Sequence, residues 1–156
     1  MEAKSTNRKT FQLTENGQLL GELIYESIVS LKAEIKLPNS DIYGIEHIGI
    51  FDTSINVTKN GAEIAKLAMN WRGQIEFNFH DGQEFILKAK GFLGNKFVLE
   101  NKNEEKLIQF DPQLNWNKLN YNYDITFDNK PQTILLVLLG VYAANYFMAS
   151  MSGAMA

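Results

Sequence analysis

The chain has 156 residues, 45% of them apolar and 21% charged, which is enough for one domain with a real core. Its formal charge of −3 argues against a nucleic-acid binder, since domains that bind polyanions carry a basic excess. Cysteine is absent, which excludes disulfides, thiolate metal sites and a cysteine nucleophile, and fits a reducing compartment.

The opening "MEAKSTNRKTFQL" lacks the long apolar core of a secretory signal. Residues 1–9 read as a polar N-terminal tail, and the body of the protein is expected in the cytoplasm, with membrane association left open. From Thr10 to Phe127 short strands alternate with turn residues. Asn16-Gly17, Asn60-Gly61 and Asp81-Gly82 are dipeptides that tolerate the positive φ of tight hairpins. Gly91, Gly94-Asn95 and the Asn101–Glu105 run supply looser breaks.

Between these breaks the pattern has period two. In "QIEFNF" Ile75, Phe77 and Phe79 face one way and Gln74, Glu76 and Asn78 the other. In "EFILKAK" Phe85, Leu87 and Ala89 oppose Ile86, Lys88 and Lys90. "KFVLE", "KLIQF" and "YNYDITF" continue the alternation. "GAEIAKLAMNW" has some helical character, but Asn60-Gly61 before it and Trp71-Arg72-Gly73 after it favour a hairpin strand. About a dozen strands at this spacing indicate an all-β sandwich or barrel.

The chain closes on "KPQTILLVLLGVYAANYFMASMSGAMA", with no charged side chain after Lys130. As a helix, Gln132 to Met151 would extend roughly 30 Å, the thickness of a bilayer core. A barrel of about a dozen strands is also too wide for its own side chains to fill, so such a helix could instead plug it. Asn145 would be costly against lipid but can find backbone partners inside protein. Gly140 and Ala144 suit close packing against a wall, or against another membrane helix. Buried core helix, tail anchor and surface-bound helix all remain open on pattern alone.

Catalytic chemistry is sparse. His47 and His80 have no obvious partners, and neither a nucleophile elbow, a P-loop, a dinucleotide fingerprint nor a zinc motif occurs. Asp124, Asp128 and Asn129 in "DITFDNK" are oxygen donors but too few for a calcium loop, and Lys130 would oppose a cation. Lys88 and Lys90 share a strand face, with Arg72 and Lys96 as neighbours; these four are the candidate lipid-binding residues, although such a pair also serves plain solubility. Trp71 in "MNWRG" and Trp116 in "QLNWN" lie near strand ends and are expected to cap the core.

In "YDITFDNKPQTILLVLLGVYAANYF" a last strand runs through a short turn into an apolar helix. This resembles the C-terminus of the scramblases and LURP-one-related proteins, members of the tubby C-terminal-like superfamily. The resemblance extends over about Phe11 to Met151, in layout more than in identity. It implies a barrel of twelve strands threaded by the helix. Tubby domains bind phosphoinositides through exterior basic residues, but those residues have no one-to-one match here. Scramblases carry an acidic calcium-linked segment where this chain has only Asp124 and Asp128.

The expected fold is therefore all-β with one helix: a closed antiparallel barrel of about 12 strands around a hydrophobic C-terminal helix. One domain is expected over residues 10–151, its helix at about 133–151, followed by a tail at 152–156. The expected function is a non-enzymatic cytoplasmic binding or scaffold domain without cofactor. Its partner would be anionic phospholipid or a protein, and not nucleic acid. The alternative is a tail-anchored protein whose β domain sits at a membrane.

Overall fold

The computed structural model describes residues 1–48, 54–91 and 95–151. Twelve strands follow one another: β1 (Glu2–Ser5), β2 (Thr10–Glu15), β3 (Gln18–Tyr25), β4 (Ala33–Lys36), β5 (Ile42–His47) and β6 (Ile55–Lys59) form the first half. The second half is β7 (Ala62–Met69), β8 (Ile75–Phe79), β9 (Glu84–Lys90), β10 (Lys96–Asn101), β11 (Lys106–Asn115) and β12 (Asn120–Phe127), and the helix α1 (Ile134–Met151) comes last. Each strand pairs antiparallel with its sequence neighbours, and β1 pairs with β12 to close the barrel.

Residues 1–9 are thus not a tail. Glu2 lies opposite Asp124 and Ala3 opposite Tyr123, while four residues of β1 pair with β2. Asparagines extend the seam beyond the backbone ladder. Asn122 Oδ1 accepts from Ser5 N–H at 2.9 Å, and Asn115 Nδ2 donates to the Ser5 carbonyl at 3.3 Å. The segment looked polar because the side chains it turns inward, Ala3 and Ser5, are small. Residues 152–156 lie outside the described residues.

The turns follow their residues. Asn16 and Gly17 (φ 51° and 78°) and Asn60 and Gly61 (φ 53° and 80°) both adopt the left-handed conformation of a two-residue hairpin. At Asp81-Gly82 only the glycine does so, and Asp81 Oδ1 instead accepts from Gln83 N–H at 3.0 Å. "GAEIAKLAM" is strand, as its flanking turns predict.

Alternation decides which residues line the barrel. Ile75, Phe77, Phe85 and Leu87 are buried, whereas Phe79 is only half-buried at one end, edge-on to Phe85. Wall residues also reach the helix. Gly140 faces the Phe110 ring of β11, Leu138 meets Gly21 of β3, Tyr142 stacks on Tyr25 of β3, and Phe147 meets Phe97 of β10 edge-on. The helix also touches β9, which lies opposite β3 in the ring, so α1 runs through its middle.

Thr133 starts the helix, its Oγ1 accepting from Leu136 N–H at 3.3 Å. By length and composition α1 could cross a membrane, with mean hydropathy 1.8. Here Leu136 through Ala144 are buried on every side by the chain's own barrel. An all-round apolar helix needs such an environment.

Candidate functional site

The helix enters one end of the barrel and leaves at the other. At the exit end stand the turns at residues 6–9, 26–32, 70–74 and 116–119, together with the connections after β5 and β9, of which 49–53 and 92–94 lie outside the described residues. The entry end carries the turns at 16–17, 37–41, 60–61, 80–83 and 102–105 and the link into α1.

The four candidate lipid-binding residues divide. Lys88 is engaged: its Nζ lies 2.8 Å from Glu100 Oε1, in a pair whose side chains are only 19% and 10% exposed. Glu100 and Val98 are buried although they point outward, so this patch is structural. Lys90 and Lys96 lie directly opposite each other across β9 and β10, at the exit end. Like charges so placed repel. Arg72 projects from the turn between β7 and β8 at the same end, 5.0 Å from the Trp71 ring centroid. Asn70 holds that turn, its Oδ1 accepting from the N–H groups of Arg72 and Gln74 at 3.0 Å each.

Four further cations stand in the exit-end turns: Arg8, Lys9, Lys32 and Lys118. Counting each described turn with one flanking residue on either side, the exit rim carries seven cations and a single carboxylate, Glu26. Among the described residues none of these seven takes part in an ion pair. The entry rim differs: Asp41, Asp81, Glu104, Glu105 and Asp128 stand in its turns beside Lys102 and Lys130, and Lys59 and Lys106 next to it are paired with Asp41 and Asp128. The net charge of the whole chain conceals this division.

Below the exit rim lies a partly buried polar network. Tyr123 Oη donates to Asn145 Oδ1 at 2.7 Å, Asn145 Nδ2 donates to Tyr25 Oη at 3.1 Å, and Tyr142 Oη donates to the Leu31 carbonyl at 2.7 Å. Burial raises the pKa of all three phenols above the ordinary tyrosine value, so they stay neutral. Asn145 finds its partners inside the protein in two phenol side chains, in place of the backbone groups the sequence suggests. A half-open cavity of about 430 Å³ adjoins this network, and Arg8 is the single charged residue among those lining it.

The remaining candidates do not converge. His80 Nε2 lies 2.9 Å from Glu63 on the exterior, and His47 ends β5 half-buried. Asp124 accepts from Gln113 and Asp128 pairs with Lys106 at 3.3 Å. Among the described residues no three His, Asp or Glu side chains gather as a metal site would require. The two tryptophans depart from the expectation that they cap the core. Trp71 is 88% exposed and Trp116 77%. Both stand on turns, and turn position alone does not reveal which way a ring points.

Comparison with protein-family models, with curated proteins and with solved structures finds no match to this chain.

Proposed function

We propose that the chain is a non-enzymatic binding domain of the tubby- and scramblase-like type, engaging anionic phospholipid headgroups at a membrane surface. The observation that supports this reading is the convergence of Arg72, Lys90 and Lys96 on a rim whose described turns carry seven cations and one carboxylate, with no ion pair to any of the seven among the described residues. Opposed, unneutralised lysines are unfavourable within the fold and are relieved by a bound anion. The enclosed position of α1 favours such a peripheral domain over a tail anchor, because the helix already has a protein environment.

Vesicle co-sedimentation tests the reading. Vesicles containing phosphatidylserine should pellet the protein, pure phosphatidylcholine vesicles should not, and added salt should weaken binding because exposed charges are screened. Equal behaviour towards neutral and anionic vesicles would remove lipid headgroups as the ligand and favour a protein partner.

A further inference from the structure

The exit rim is apolar as well as basic. Among the described residues nine large hydrophobic side chains are exposed, and six of them, Ile28, Val29, Trp71, Trp116, Leu119 and Met151, stand in its turns or at the helix end. The other three, Leu19, Ile42 and Leu114, lie in strands, and the described turns of the entry rim hold none. Soluble proteins scatter such residues singly, whereas a cluster marks a contact surface.

These side chains share the described turns of this rim with its cations. The turn joining β11 to β12 presents Trp116 and Leu119, and next to it the turn joining β1 to β2 presents Arg8 and Lys9. The following turn, between β3 and β4, presents Ile28 and Val29. On the other side of Trp116 stand Lys90 and Lys96, and beyond them Trp71 with Arg72. Apolar tips and cations thus lie side by side in the described turns of a ring roughly 20–25 Å across, taking strand spacing and tilt as usual for barrels.

We infer that this ring inserts into the interfacial layer of an anionic bilayer, with the barrel upright and the C-terminal end of α1 directed at the lipid. The inference rests on the headgroup reading above and adds penetration to it. A membrane is the one planar partner that offers phosphates and acyl chains side by side over the whole width of the rim. Tryptophan is the side chain best suited to that depth, with an apolar body and a polar N–H. Arginine and lysine reach from the same depth to phosphate.

The experiment uses the full chain, whose two tryptophans are both on the rim and report on it directly. With phosphatidylserine-containing vesicles, tryptophan emission should shift to the blue and should be quenched by lipids brominated on their acyl chains. Trp71→Phe and Trp116→Phe, each leaving one reporter, should both still be quenched. Trp71→Ser combined with Trp116→Ser should weaken vesicle binding by about tenfold or more, with the far-UV circular dichroism unchanged. Unquenched tryptophans in a protein that still sediments would overturn insertion and leave headgroup binding standing. No sedimentation with any vesicle would overturn both. A blue shift that depends on protein concentration without vesicles would assign the ring to a second copy of the chain.

Discussion

Phe110 fills the space that a side chain on Gly140 would need: a Cβ built on Gly140 would overlap the Phe110 ring, with Cε2 at 2.9 Å. On a separate part of the wall, at β3, a Cβ on Gly21 would come within 3.0 Å of Leu138. The helix is held between these two approaches, and its position depends on missing side chains as much as on present ones.

Gly140→Ala should therefore destabilise although alanine is the better helix former by about 1 kcal/mol. Overpacking of about 1–3 kcal/mol opposes that gain, and Gly140→Leu should exceed the alanine variant. Combining Gly140→Ala with Phe110→Leu should cost less than the sum of the two changes. Urea titration reads all four proteins, and strict additivity would show that the ring does not set the limit.

Removal of α1 should abolish cooperative folding. Leu136, Val137, Leu138, Leu139, Val141 and Tyr142 are buried, and at about 1.5–3 kcal/mol each they contribute roughly 10–20 kcal/mol. That matches or exceeds the usual net stability of a domain, about 5–15 kcal/mol. A chain truncated before Pro131 should aggregate or melt without a transition. A sharp, soluble melt would mean that the barrel stands without its helix.

Alkali should unfold the protein through its tyrosines. Burial raises the folded pKa of Tyr25, Tyr123 and Tyr142 above the ordinary value of 10.0. Stability from a raised pKa is fully present below the unfolded value and declines as pH climbs through it towards the folded one. The unfolded chain then loses protons the native one keeps, so each tyrosine contributes a slope of about −1.4 kcal/mol per pH unit. Tyr142→Phe should flatten the decline between pH 10 and the unfolding limit, read by denaturant titration. An unchanged slope would contradict the burial of its hydroxyl.

Stability and lipid binding should separate along one sheet. Lys88→Met leaves Glu100 without its cation and should cost about 1–3 kcal/mol while vesicle binding changes little. Lys90→Gln with Lys96→Gln removes a repulsion, so stability should hold or rise while binding falls. The opposite pattern would place the lipid contact on the flank of the barrel instead of its rim.

Much of this architecture was legible in the sequence, and the reasons are local. Period-two alternation in β8 and β9 and the Asn-Gly turns specify hairpins directly. Asn145 in an otherwise apolar helix points to partners inside the protein, but these are the hydroxyls of Tyr123 and Tyr25 and not the backbone groups the sequence suggests. What escaped depends on long-range register. The Lys88–Glu100 pair forms diagonally across β9 and β10, so Lys88 resembled Lys90 although its charge is already engaged. Strand β1 was missed because a strand lined with alanine and serine shows no hydrophobic alternation. The rim, assembled from turns far apart in the chain, has no signature in any one segment.

The seam between β1 and β12 joins residues more than 100 positions apart, as Ala3 and Tyr123 are. During synthesis no circle can shut until β12 has left the ribosome, and the apolar helix emerges later still. Until then every hairpin exposes an inner face and the two terminal strands have unpaired edges, a condition that slows folding and invites aggregation. The nascent barrel should thus depend on chaperones until β12 emerges, and its maturation should complete abruptly when the helix is captured.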